Sequence, residues 1–248
     1  MRRSQSTRRS AAIGLAAGVL TLGLALVPGT GTPAAVAEQA NLPGVPEPGS
    51  PAAEWEAWAA EERAAAKATD WAADSEARGC VLEDVTVTDE VDRDYNVAMG
   101  APADLVTHRV DLAESCSDAA LESVGDGASR SAGATGFAAT DLPSGNRCAS
   151  TSGPGTACLS KGSGRVYASW KYRGSGTVTG FLRIYRVSAS ADGCPTGSTW
   201  LTGSSASWRN GTTRTISKTQ TQNGGYSAHF WRKVSIGHRD WGGVCSVL

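Results

Sequence analysis

Residues 164–173, Gly-Arg-Val-Tyr-Ala-Ser-Trp-Lys-Tyr-Arg, decide how this chain folds. Val166, Ala168, Trp170 and Tyr172 alternate with Arg165, Tyr167, Ser169, Lys171 and Arg173. A period of two puts the first set on one face of a strand and the second on the other, which is the pattern of a strand with one face in a core. Outward from it, strands are predicted over Thr177–Ser188, Thr199–Trp208, Thr212–Thr221, Tyr226–Ile236 and Trp241–Val247. Turn residues separate them: Gly174-Ser175-Gly176, Asp192-Gly193, Asn223-Gly224-Gly225, and Asn210-Gly211, a two-residue hairpin signal of the type I′ kind. Strands at this spacing read as an antiparallel β-sandwich, or a small barrel, over residues 148–248.

Upstream, the character changes. Residues 117–147 are rich in Ser, Gly and Ala without helical or strand periodicity, and read as a linker marking a domain boundary. Before it, Val81–Val91 and Leu105–Leu112 are β-like runs around the turn-rich stretch 92–103, predicting a two-stranded hairpin. Ser50-Pro51 starts a helix, with a hydroxyl cap and Pro at the first helical position, and Gly79 stops it. Trp55 and Trp58 share a face of that helix, whereas Trp71, at 100° per residue, falls well around it. The plainer reading packs these rings on the rest of the protein; the sharper one makes Trp55 and Trp58 anchors for a partner. Residues 38–50, rich in Pro and Gly, should be extended or disordered. The expected fold is mainly β: a C-terminal antiparallel β-sandwich preceded by an α-helix and a disulfide-pinned hairpin, with 51–116 an acidic region.

The net charge of -1 hides a bipolar chain. Residues 38–147 hold 22 acidic and 7 basic side chains, and residues 148–248 hold 2 and 12. A basic domain attracts polyanions in a salt-dependent way. Arg outnumbers Lys by 18 to 5 and Ile occurs only four times, a bias that points to a high-G+C bacterial genome, and the layout resembles small exported proteins of Gram-positive bacteria. Residues 1–37 read as a cleavable signal peptide: Arg2, Arg3, Arg8 and Arg9, an apolar run over Ala11–Val27, then Ala35-Val36-Ala37. Seventeen residues, many only Ala or Gly, are marginal for a membrane anchor. The expected location is secreted, extracellular or wall-associated, with no membrane span after cleavage.

Six cysteines all follow residue 37, and in an exported chain they read as three disulfides, expected as Cys80–Cys116, Cys148–Cys158 and Cys194–Cys245. No Cys-x-x-Cys pair exists and the three histidines are not spaced as ligands, so no metal and no cofactor is expected. No Gly-x-Ser-x-Gly elbow, phosphate loop or dinucleotide fingerprint occurs, and His238-Arg239-Asp240 matches a kinase catalytic loop in three letters only. The basic region offers Asp192, Asp240, His229 and His238 as its only acidic and imidazole groups, so a non-catalytic protein is expected. Its stronger signal is cations interleaved with aromatics, in Arg165–Arg173, Phe181–Arg186, Phe230–Lys233 and His238–Trp241. The contact residues read from this are Tyr167, Lys171, Arg173, Arg183, Tyr185, Arg232 and Lys233, with Trp55 and Trp58 on the acidic arm. The bland counterpart is a solubilising Arg-rich sheet face over a core of Trp and Tyr.

The expected function is an exported binding or adaptor protein. Its basic β domain would contact an anionic cell-wall polymer or another exported protein, and nucleic acid suits the charge but not the compartment. Three alternatives stand beside it: an antibacterial effector with an acidic pro-segment, a carbohydrate-binding module, and a peptidase inhibitor.

Overall fold

A computed structural model describes residues 41–125 and 141–248. The expected signal peptide, and residues 126–140 of the expected linker, lie outside the described residues. The acidic part holds α1 (Ala52–Ala68), α2 (Trp71–Ala77), β1 (Cys80–Glu90), α3 (Arg93–Ala98), β2 (Thr107–Cys116) and α4 (Asp118–Gly125). The basic part holds β3 (Arg147–Ser150), β4 (Gly155–Gly162), β5 (Arg165–Tyr172), β6 (Thr177–Val187), β7 (Ser198–Thr202), β8 (Ala206–Arg209), β9 (Thr213–Thr219), β10 (Gly225–Lys233) and β11 (His238–Val247).

Two antiparallel sheets face one another. The first runs β1-β2-β9-β5-β4-β3; the second runs β11-β10-β6-β7, with β8 also on β6. Between them, Trp170 lies flat on Phe230 at 3.8 Å between ring centres, with Trp208 edge-on at 5.9 Å. The edge-on contact suits aromatic quadrupoles and adds specificity to the apolar burial. The β5 faces fall as the alternation requires: Val166, Ala168, Trp170 and Tyr172 belong to the core. The expected disulfides form, Cys80–Cys116 across β1 and β2, Cys148–Cys158 across β3 and β4, and Cys194–Cys245 onto β11.

The division into an acidic arm, a linker and a separate basic sandwich does not describe this architecture. β2 pairs with β9, aligning Leu112 with Thr215, so the hairpin is two strands of the first sheet. A two-stranded ribbon is marginal alone, and β9 supplies the third strand that it lacks. Trp55, Ala59, Tyr95, Met99 and Leu105 join Trp170 and Phe230 in one cluster. The described parts of the expected linker are seated too. The α4 residue Leu121 packs beside the Cys80–Cys116 and Cys148–Cys158 bridges, and Leu142 is buried, its backbone N–H donating to Ala189 O at 2.6 Å. Residues 41–50 are docked rather than disordered: the Asn41 amide donates to Pro46 O at 2.7 Å and Met99 O at 2.9 Å.

Other elements differ for local reasons. The single helix expected to Gly79 is two helices, because the chain turns extended at Thr69 and Asp70 caps α2 by accepting from the Ala73 N–H at 3.0 Å. That break brings Trp71 back to donate its Nε1–H to Ala66 O at 2.8 Å, which is why it does not fit the face shared by Trp55 and Trp58. β3 and β4 were not expected, since their Ser, Thr, Gly and Cys residues give little hydrophobic alternation. Asn210-Gly211 does not close a hairpin. It carries the chain from β8 in the second sheet to β9 in the first. The tight hairpin turn is Ser163-Gly164, both at positive φ (49° and 69°), between β4 and β5.

Candidate functional site: the outer face of the second sheet

The end of α1 and α2 pack on the outer face of the first sheet, Ala66 and Trp71 against Val110, Leu112 and Tyr167, and this decides the fate of the predicted contacts there. Tyr167 is buried, its hydroxyl donating to Asp74 Oδ1 at 3.0 Å under the Arg78 guanidinium, and burial raises its pKa to about 12. Lys171 donates to Asp118 Oδ1 and to Cys116 O, both at 2.7 Å, and Arg173 pairs with the same carboxylate at 3.1 Å. Arg165 is buried against the Trp71 ring and donates to Ser217 Oγ at 2.9 Å. Glu114, fully buried on β2, accepts from Ser75, Arg78 and Thr215 and so ties α2 to β9. Lys171 and Arg173 thus share the Asp118 carboxylate, and Arg165 is held by the Ser217 and Thr219 hydroxyls. Trp55 is completely buried, and Trp58 is half-buried with its ring edge-on to Trp55 at 5.9 Å, so the pair packs inward rather than forming an anchoring arm.

Arg183, Tyr185 and Lys233 go elsewhere. On β6, Phe181, Arg183 and Tyr185 alternate with the core residues Leu182 and Ile184, so all three face outward from the second sheet. On β10, Ser227, His229, Trp231 and Lys233 do the same opposite Tyr226, Ala228 and Phe230. Register sets Trp231 against Phe181 and His229 against Arg183. The Arg183 guanidinium carbon lies 5.0 Å from the Phe181 ring centre, 5.9 Å from that of Trp231 and 6.0 Å from that of Tyr185. Its Nε donates to Thr202 Oγ1 on β7 at 2.9 Å, which fixes the plane of the fork. Among the described residues no carboxylate lies within ion-pairing distance of it. Tyr185 is buried in this cluster, and burial raises its pKa. Arg232 points the other way and lies over Trp241 at 4.9 Å.

Beside Arg183, a β-bulge shifts the β10–β11 register between His229 and Trp231 and brings Asp240 round to His229. The His229 Nδ1 to Asp240 Oδ2 distance is 2.9 Å, and Asp240 Oδ1 accepts the Gly242 N–H at 2.7 Å. Gly243, opposite His229, has no room for a side chain, since a Cβ there would stand 1.9 Å from Ala228 O. The carboxylate orients the imidazole as in a catalytic pair, but no hydroxyl of the described residues is bonded to its Nε2. Ser227, the nearest outward hydroxyl on the strand, donates to Pro195 O at 2.7 Å instead. Chemically, the face offers planar rings, one fixed guanidinium and a few hydrogen-bonding groups. Cys80, Glu114 and Cys116 are grouped at metal-ligand distances, yet the two sulfurs are bonded to each other and leave no thiolate.

Phe181, Trp231 and the His229–Asp240 pair were absent from the expected contact set. The signal for them was in the sequence, because positions 181, 183 and 185, and 229, 231 and 233, each share a face by simple alternation. No helix among the described residues is long and apolar enough to cross a membrane. The chain is thus an antiparallel β-sandwich tied by three disulfides, with one outer face covered by helices and the other carrying an aromatic–cationic patch. Comparison with protein-family models, with curated proteins and with solved structures returns no match.

Proposed function

We propose that this is an exported, non-catalytic binding protein that engages an anionic glycopolymer of the cell envelope across the outer face of its second sheet. The observation that carries the reading is Arg183: a guanidinium held among three aromatic rings and Thr202, with no carboxylate partner among the described residues. A preorganised cation outside any ion pair suits a phosphate or carboxylate. The flanking Phe181 and Trp231 offer flat apolar surface to the sugar rings between such charges. Three disulfides fit the oxidising compartment that export implies.

The test is co-sedimentation with cell-wall sacculi, before and after chemical removal of their anionic polymer. Arg183→Ser and Trp231→Ala should each weaken retention, on the order of 1–3 kcal/mol for loss of an anchoring contact, and rising salt should weaken it further. Lys171→Ser with Arg173→Ser should leave it unchanged, since those cations face Asp118. Equal loss in both sets of variants would refute the assignment to this face. The rival reading, release of an acidic pro-segment to expose the basic domain, runs against the packing. Release would strip β1 and β2 from a sheet and remove Trp55, Tyr95 and Met99 from the core.

A further inference from the structure

The β10–β11 hairpin ends in a four-residue turn, Val234-Ser235-Ile236-Gly237, closed by the Val234 N–H donating to Gly237 O at 3.1 Å. Ile236 stands at its apex with 92% of its surface exposed. Among the described residues, the other exposed large apolar side chains, Val81, Val91, Val97 and Val106, all lie in the acidic stretch. Ile236 is framed by cations. Arg232 is set directly opposite Arg239, and Lys233 follows it on β10. Like charges facing each other across an antiparallel pair destabilise it. Here no carboxylate of the described residues lies within ion-pairing distance of Arg232, Lys233 or Arg239, because Asp240 is turned towards His229. The hairpin thus keeps three cations outside any ion pair of the described residues below a protruding apolar side chain, with Arg232 resting on the Trp241 ring.

We infer that this tip is a membrane-contact element, which sets Ile236 among the headgroups of an anionic phospholipid surface while Arg232, Lys233 and Arg239 neutralise phosphates around it. The chemistry is that of interfacial binding: one apolar group enters the boundary and a ring of cations meets the negative surface potential. Lone apolar residues on a surface are ordinary, so the inference rests on the pairing of Ile236 with like charges in register. It is independent of the polymer reading, which uses Arg183 and Trp231. Each cation near an anionic surface is worth about fivefold in partitioning, so removing two costs about 25-fold. Loss of the isoleucine side chain from the boundary costs about tenfold.

The experiment is co-flotation of the intact, disulfide-bonded protein with vesicles of phosphatidylglycerol and phosphatidylcholine, against phosphatidylcholine alone. The expected result is partitioning to the anionic vesicles only. It should fall about tenfold in Ile236→Ser, fall about 25-fold in Lys233→Ser with Arg239→Ser, and be unchanged in Arg183→Ser. These side chains are exposed, and an unaltered thermal midpoint confirms that the variants fold. Partitioning no better than to phosphatidylcholine overturns the inference. So does an Ile236→Ser variant that binds like the parent, which would reduce the effect to diffuse charge attraction. Equal loss in Arg183→Ser would move the contact to the sheet face and overturn it as well.

Discussion

Replacing Glu114 tests whether the acidic and basic parts of the chain form one cooperative structure. Its carboxylate is fully buried. It accepts from Ser75 Oγ at 2.6 Å, from Arg78 Nη2 and Nη1 at 2.6 and 3.1 Å, and from the Thr215 hydroxyl on β9. Glu114→Ala leaves four donor groups on three residues without their acceptor and breaks a buried ion pair, a class of change that costs about 3–5 kcal/mol. The lower figure applies, because Arg78 keeps Asp74 at 3.0 Å and 20% of its side chain reaches solvent. Glu114→Gln keeps the shape and one acceptor oxygen and should cost about 1–2 kcal/mol. In urea with the disulfides intact, a slope of about 2 kcal/mol per molar places the Glu114→Ala midpoint about 1.5 M below the parent. The transition should stay single, and tryptophan fluorescence and far-ultraviolet circular dichroism should coincide. Two separated transitions, or a change under about 0.5 kcal/mol as for an ordinary surface substitution, would refute the single-unit argument.

Two further outcomes follow from the packing. His108 is buried on β2, where its Nε2 accepts from Arg165 Nη1 at 3.2 Å, and burial, then the charges of Arg165 and Lys218, push its pKa down to about 4. The unfolded chain takes up this proton near pH 6.5, so the stability is fully present above about pH 6.5 and is lost as pH falls towards 4, about 3 kcal/mol in all. Thermal midpoints across that window should decline less steeply in His108→Gln, and identical slopes in parent and variant would exclude His108 as the cause. The Cys194–Cys245 bridge spans 51 residues and Cys148–Cys158 spans 10. Loop entropy therefore makes the first worth about 4 kcal/mol and the second about 3. Paired Cys→Ala variants compared by urea unfolding should fall in that order, and the reverse order would count against the entropic account.

Part of the candidate site could be read from the sequence. The interleaved cations and aromatics of Phe181–Arg186 and Phe230–Lys233 marked the right segments, and alternation gave their faces. What local pattern could not provide was the neighbour. Tyr167, Lys171 and Arg173 carry the same kind of pattern as Phe181, Arg183 and Tyr185. The first set lies under helices bearing Asp74 and Asp118, and the second faces outward. Likewise His229 and Asp240 are 11 residues apart and meet only because a bulge rotates the end of β11.

By itself, then, the sequence determined the strand character of β5 and its two faces, the antiparallel β-sandwich of the basic part and the helix-plus-hairpin content of the acidic one. It also carried the cysteine count from which three bridges were expected. All of these rest on local periodicity, turn chemistry and composition, which a chain carries before it folds. Only the tertiary structure decided that the hairpin becomes the edge of the first sheet, that Trp55 enters the core, and that Lys171 and Arg173 meet Asp118 while Arg183 sits among aromatic rings outside any ion pair of the described residues. The pairing of β2 with β9 joins positions about a hundred residues apart. No nearby residue encodes such a contact, which forms because an unpaired β2 edge, a buried carboxylate and a basic sheet face are each costly alone and satisfied together.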